Sequence, residues 1–403
     1  MKRIYLDYAS LTPIDTRVIR EVKKYSLAKY ANPSSLYKEG VAAKKVLEEG
    51  RKKVADFMRA HSDEIVFTGG GTEANNLAIE GVLKAAHKKG IFKPHLIISS
   101  IEHSSIIEVA NVVERIGCEV TRLPVNADGV VSLDELKKSI KPNTVLVSIM
   151  MVNNEVGTVQ PIREIVKIIR HARKTLNPIP STLYPLLHTD AAQALYEDIN
   201  MESLGVDLLT LDGSKVYGPR GIGCLYIRRG TPIETIIYGG GQERGMRSGT
   251  ENVPAVMGFA KALELLGAEH IKIGHFSQLK WSESKMVTPT DKSMRIYGLR
   301  ALLIEKLKAI QSDITVNGAT TSPHILNVSI PGIDNEFFVL QLDAKGIACS
   351  TKSSCLRDED ESYVLKAMKA DSKTSVRFSF GRYTRKRDII KAAKIIAGIL
   401  HRG

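Results

Sequence analysis

Glu64-Ile65-Val66-Phe67-Thr68-Gly69-Gly70-Gly71-Thr72-Glu73-Ala74-Asn75-Asn76 joins an apolar, β-branched run to a helical one through three glycines. A strand that ends in a glycine turn and opens at once into a helix is a building unit of parallel α/β sheets. The same unit turns free backbone N–H groups and the positive end of a helix dipole toward one point, and glycine allows close approach there. That arrangement suits a phosphate. A structural turn with a threonine helix cap uses the same residue types, so the stretch alone leaves both readings open.

The alternation continues outward. Between about Thr16 and Gly267, short apolar runs at His95–Ser100, Cys118–Leu123, Thr144–Met150, Leu183–Thr189 and Gly223–Ile227 alternate with amphipathic stretches. The helical ones are Ala74–His87, Ser104–Ile116 and Ile162–Leu176. This predicts an α/β domain with a mostly parallel sheet. Beyond about Ala268 a polar, Lys-rich stretch holding Trp281 runs through Asp291. A helix at Ser293–Ile310, short strands and a final helix at Lys386–His401 follow, predicting a smaller α+β lobe.

Composition excludes several classes. The chain has 403 residues, 43% hydrophobic and 25% charged, which is the make-up of a folded globular protein long enough for roughly two domains. No apolar run approaches the roughly 20 residues of a membrane span. Asp7 interrupts the N-terminus before a secretory apolar region forms, so no signal peptide and a cytoplasmic location are expected. Cys118, Cys224, Cys349 and Cys355 show neither a CxxC pair nor zinc-ligand spacing, against a disulfide framework and against a metal site. Lys and Arg exceed Asp and Glu by 57 − 44 = 13. Without aromatic interleaving this excess reads as a solvated basic surface, and direct nucleic-acid binding is not expected.

Two further stretches carry chemistry. His188-Thr189-Asp190-Ala191-Ala192-Gln193-Ala194 ends an apolar run with an acid and an amide, as a cap or sheet-end turn also does. Leu211-Asp212-Gly213-Ser214-Lys215-Val216-Tyr217-Gly218-Pro219-Arg220-Gly221-Ile222-Gly223 sets a lysine between a strand and a glycine-rich return. Desolvation keeps such an amine neutral and nucleophilic, although a lone lysine is far more often a surface residue.

A glycine turn, then an aspartate, then a lysine on one α/β domain resembles the cofactor site of pyridoxal-phosphate enzymes of the aspartate-aminotransferase fold. Within that fold the sequence is similar to the cysteine desulfurase family of the class V aminotransferase superfamily. The likeness runs through Tyr5-Leu6-Asp7-Tyr8, Asn32-Pro33-Ser34-Ser35, Glu102-His103, Asn153-Asn154-Glu155-Val156-Gly157, Gly239 to Thr250 and Arg377-Phe378-Ser379-Phe380-Gly381-Arg382. It covers nearly the whole chain, apart from apparent insertions near Leu176–Leu186 and His270–Met294. The resemblance implies a large cofactor-binding domain at 15–265 and a small domain formed by 1–14 and 266–403.

It also implies roles. Lys215 bonds the cofactor and later moves the substrate's Cα proton; Asp190 keeps the ring nitrogen protonated; Gln193 contacts the ring's phenolic oxygen. His103 stacks on the ring and carries protons, and Asn154 and Arg377 bind the substrate carboxylate. Gly71, Thr72 and Ser214 hold the phosphate, with Thr250 reaching it from the neighbouring subunit of a homodimer. Cys355, in a polar stretch with Lys352 and Arg357 to favour its thiolate, takes sulfur from L-cysteine as a persulfide. A sulfur-acceptor protein, either an iron–sulfur scaffold or a tRNA-thiolation enzyme, then collects it. Relatives have a serine and a histidine where this chain has Asp212 and Ser214, and a carboxylate at Asp212 repels phosphate unless it points away. The loop after Cys355 is acidic and one residue shorter than usual, and Cys349, where relatives are apolar, reads as a packing residue. The chain's end soon after its last helix implies that the tail with which some relatives dock a scaffold is lacking. Rival readings are selenocysteine lysis or aminotransfer on the same scaffold, or an inactive relative that binds a partner or RNA.

Overall fold

The computed structural model describes residues 3–28, 30–176, 184–271, 292–319, 321–352 and 361–401. Both apparent insertions fall largely outside the described residues, as do Trp281 and Cys355.

Twelve strands are present among them. In chain order these are β1 (Ile4–Tyr5), β2 (Ile65–Thr68), β3 (His95–Ser99), β4 (Glu119–Leu123), β5 (Thr144–Ser148) and β6 (Leu186–Asp190). Then follow β7 (Leu208–Asp212), β8 (Gly223–Ile227), β9 (Thr315–Asn317), β10 (Ile325–Ser329), β11 (Ile347–Ala348) and β12 (Ser375–Ser379). β2 to β8 form a seven-stranded sheet in the order β2-β8-β7-β6-β5-β3-β4. β8 runs antiparallel to β2 and β7, while the other pairings are parallel. The sheet is apolar on both faces because both are covered. The helices Gly71–Lys88 and Ser104–Arg115 bury Leu77, Ile79, Val82, Ile106 and Val109 against one face. Lys38–Met58, Ile162–Leu176 and Val253–Ile271 bury Leu47, Val54, Ile165, Ile169 and Phe259 against the other.

The second core lies around the antiparallel sheet β12-β10-β9 and the helices Lys292–Ile310 and Lys386–Leu400, with Leu303, Leu326, Phe378 and Ile389 at its centre. The N-terminus joins this core: β1 pairs in parallel with β11, and Ile4 and Leu6 are buried among its residues. Residues 6–10 then cross β12 toward the large sheet, Ser379 N–H donating to the Leu6 carbonyl at 2.7 Å and Ala9 N–H to Ser379 Oγ at 2.9 Å. Gly381 makes that crossing possible, since a Cβ there would lie 2.1 Å from Tyr8 Cδ1.

Element limits differ from the sequence expectation in places, each with a local cause. The first helix of the sheet starts at Gly71 and not Ala74, because Gly70 makes the turn at φ 145°. β5 stops at Ser148, short of Met150, whose N–H leaves the ladder for the Glu102 carboxyl. β6 begins at Leu186, after Pro185, which has no N–H to give a ladder. Among the described residues no helix is long and apolar enough to cross a membrane.

Candidate active site

β2, β3, β5, β6 and β7 point the same way, so their carboxyl ends lie along one edge of the sheet. Open α/β sheets bind ligands in the crevice outside that edge. Here it holds a cavity of about 190 Å³. β2 delivers Gly71 and Thr72, β3 delivers His103 and Ser105, and the chain after β5 delivers Met150, Val152 and Asn154. β6 ends in Asp190 with Ala192 and Gln193 behind it, and β7 ends in Asp212 and Lys215. From the second core come Arg377 on β12 and Ala9 and Ser10 of the N-terminal crossing.

Lys215 closes the single-turn 3₁₀ helix Gly213–Lys215, which Asp212 caps. Its Nζ donates to the Ala9 carbonyl at 3.3 Å and to that of Ser10. Asp190 is 7% exposed and accepts from Asn75 Nδ2 at 2.8 Å and from Ala192 N–H at 2.9 Å. Among the described residues it has no ion-pair partner, so its charge faces the cavity held only by neutral donors. Asn75 also donates to Ser105 Oγ at 2.9 Å, while its buried Oδ1 has no partner. His103 caps the helix Ser104–Arg115, Nδ1 accepting from Ser105 N–H at 3.2 Å, which holds the imidazole at the cavity wall.

Gln193 is fixed from behind. Its Nε2 donates to the Ala9 carbonyl at 2.7 Å, and its Oε1 lies 3.3 Å from Nε2 of His324. Burial pushes the His324 imidazole down to about 3, so the ring is neutral and donates through whichever nitrogen carries its proton. On the second wall Arg377, 1% exposed, donates from Nη1 to the Asn154 carbonyl and from Nη2 to Asp7 Oδ1, each at 2.8 Å. Its buried Nε has no partner. A guanidinium so placed keeps donors for an incoming carboxylate.

At the glycine turn, the carboxylate of Asp212 points inward: Oδ2 accepts from Gly71 N–H at 3.0 Å and Oδ1 from Ser214 N–H at 2.7 Å. Ser214 does not line the cavity and binds through its carbonyl to Thr12. Thr250 is exposed and lies outside the cavity of its own chain. Its stretch is pinned to β2 by Glu243, which bonds Arg51 at 2.6 Å and 2.8 Å and accepts from Phe67 N–H at 2.8 Å.

Cys355 lies outside the described residues, yet the flanks of 353–360 are fixed beside the cavity. Ser350 exchanges backbone hydrogen bonds with Arg377, and Tyr363 donates to the Glu102 carbonyl, next to His103. Ser362 caps the following helix and donates to the buried Glu155 carboxyl at 2.6 Å. Cys349 packs against the second core, and burial raises its thiol pKa, as befits a packing residue.

The Aminotransferase class-V family model matches residues 4–391. Cysteine desulfurase IscS of Dictyoglomus turgidum is 38% identical over 411 residues, covering all of this chain and 96% of the relative. This chain belongs to the cysteine desulfurase family. A solved NifS-like protein superimposes over the whole of both chains with a TM-score of 0.86 and 32% identity. SspA, solved in complex with cysteine, aligns over 95% of this chain and all of its own, with a TM-score of 0.75 and 31% identity. The architecture is thus the pyridoxal-phosphate transferase fold, and as a cysteine desulfurase the chain is a pyridoxal-phosphate enzyme. The desulfurase cavity fits that cofactor: an amine, an unpaired carboxylate and an orphaned amide oxygen converge on it, beside a helix N-terminus. At the phosphate end one cradle N–H is already taken by Asp212.

Asn75, Ser105 and His324 were not singled out from the sequence. Asn75 had a signal, since it sits one helical turn beyond Gly71 and so shares its face. His324 had none, because it meets Gln193 across 131 residues.

Proposed function

We propose that this desulfurase splits L-cysteine into L-alanine and sulfur held as a persulfide on Cys355. The observation that carries the reading is one cavity uniting the Lys215 amine, the Asp190 carboxylate and the Arg377 guanidinium, with both flanks of the Cys355 segment fixed at its rim. Pyridoxal phosphate supplies an electron-withdrawing ring that stabilises negative charge at the substrate Cα. Asp190 keeps the ring nitrogen protonated and Gln193 donates to the phenolic oxygen. Arg377, with Asn154, binds the α-carboxylate, and Lys215 removes the Cα proton. The Cys355 thiolate attacks the substrate sulfur, so an S–S bond forms as the Cβ–S bond breaks and its electron pair stays with carbon. His103 supplies a proton on the way to alanine. Cys355 has the reach for this, since it follows the anchored Ser350 by five positions, about 17 Å of extended chain.

We also assign 15–265 to a cofactor-binding domain and 1–14 with 266–403 to a small one that carries Cys355. Thr250 serves the phosphate of a second copy in a homodimer, a role supported by its exposure and by the exposed Tyr238 nearby. The persulfide passes to an acceptor protein of iron–sulfur assembly or tRNA thiolation. The protein works in the cytoplasm, in keeping with the free thiols Cys118, Cys224 and Cys349. Incubation with L-cysteine, followed by mass spectrometry of the Cys355 peptide and alanine assay, tests the mechanism. Wild type should gain 32 Da (about one sulfur atom) on Cys355, and Cys355→Ser should form neither persulfide nor alanine. Alanine released equally by the variant would sink it.

A further inference from the structure

We propose that Asp212 is a built-in competitor for the phosphate cradle, which the cofactor's phosphate must displace, so that this chain binds pyridoxal phosphate more weakly than its fold allows. The proposal rests on the reading that the cradle at Gly71 and Thr72 takes the phosphate. Free N–H groups at the start of the helix Gly71–Lys88 are the means by which such a turn holds an anion. Here Gly71 N–H is directed onto Asp212 Oδ2 at 3.0 Å, and the other carboxylate oxygen takes Ser214 N–H at 2.7 Å. A Cβ on Gly71 would come within 3.2 Å of Oδ2, so the carboxylate lies against the turn itself. Asp212 has no ion-pair partner among the described residues, so nothing described neutralises its charge when a phosphate arrives. Two anions cannot share one donor set without repulsion. Asp212 is therefore a specificity-determining residue for the cofactor: it offsets much of the advantage that a phosphate confers over the same ring without one.

The test compares binding of pyridoxal phosphate and of pyridoxal to full-length apoprotein, by equilibrium dialysis, in wild type, Asp212→Ser and Asp212→Asn. Borohydride reduction and peptide mapping locate the covalent link in each protein, and thermal melting confirms folding. Asp212→Ser should bind pyridoxal phosphate at least tenfold more tightly, with pyridoxal changed less than twofold, and inorganic phosphate should become the stronger inhibitor of uptake. Asp212→Asn, nearly the same shape without the charge, should shift the same way. Unchanged or weaker binding of pyridoxal phosphate in both variants, with the link still on Lys215, would overturn the proposal alone. Equal affinity for the two ring compounds in all three proteins, or a link at another lysine, would overturn the cradle reading and the proposal with it.

Discussion

Replacing Arg377 by lysine keeps the positive charge and removes the planar fork. In the structure one Arg377 nitrogen holds the Asn154 carbonyl and another holds Asp7, each at 2.8 Å, while Nε is uncommitted. A single ammonium cannot satisfy Asp7, Asn154 and a substrate carboxylate in one plane. The loss expected is one charge-assisted hydrogen bond to the substrate, about 1.5–3 kcal/mol, or roughly 10- to 150-fold in kcat/KM for L-cysteine. Because ground state and transition state share that contact, most of the loss should appear in KM. Steady-state sulfide release in the presence of a thiol reductant measures it for both L-cysteine and the control cysteamine, which is cysteine without its carboxylate and so yields no alanine. Cysteamine turnover should change by less than about threefold, a margin well below the loss of one charged hydrogen bond. If both substrates fall together, Arg377 holds the walls of the cavity and does not read the carboxylate, and the assignment fails.

Asp190→Asn should retain bound cofactor yet lose activity by about 10²–10³-fold, the usual cost of removing one preorganised electrostatic partner, measured as alanine formed per mole of cofactor. Glu243→Ala takes from the buried Arg51 guanidinium its buried two-point partner and leaves it only the half-exposed Glu48 and the Ile65 carbonyl, so urea unfolding should show a loss of up to about 3–5 kcal/mol. The double change Arg51→Met with Glu243→Leu should recover most of that loss, and strict additivity would refute the pairing. Glu102 is fully buried, and desolvation raises its carboxyl from 4.5 to about 8. The folded state holds that proton more tightly than the unfolded chain, so the associated stability is complete below about pH 4.5 and is lost as pH rises through about 8. Denaturation at a series of pH values should show wild type losing stability relative to Glu102→Gln across that window; parallel curves would refute the shift.

The large sheet was legible in the sequence because each strand carries its own apolar run and each crossover its own amphipathic period. Asp190 at the end of β6 and Lys215 just past β7 could be placed at the sheet edge from their strands, but their roles came only from the resemblance, since position alone left a cap and a surface lysine equally open. What was not legible depends on contacts between distant segments. β1 is a strand of two residues with no periodicity to read, and only its pairing with β11 reveals it. The direction of Asp212 was open for a related reason: a carboxylate beside a glycine turn either caps it or avoids it. The choice is made by the antiparallel return of β8, which sets Gly223 against the Gly70 backbone and β7 within reach of Gly71. Gln193 lines the cavity, but the buried imidazole behind it was beyond any local pattern.

The N-terminal crossing has a bearing on how the molecule is made. Ala9 and Ser10 receive the Lys215 amine, yet they are held in place by Ser379, 370 residues further along the chain. Contacts of such long range form late, after the local and sheet contacts that can assemble while the chain is still growing. Residues made well before β12 are thus among the last to find their seats. Until β12 has been synthesised the cavity lacks a wall, and a lysine already positioned by its own strand stays open to the solvent. Cofactor loading is thereby tied to completion of the chain: a truncated product can fold much of its large sheet and still offer the coenzyme only half a site.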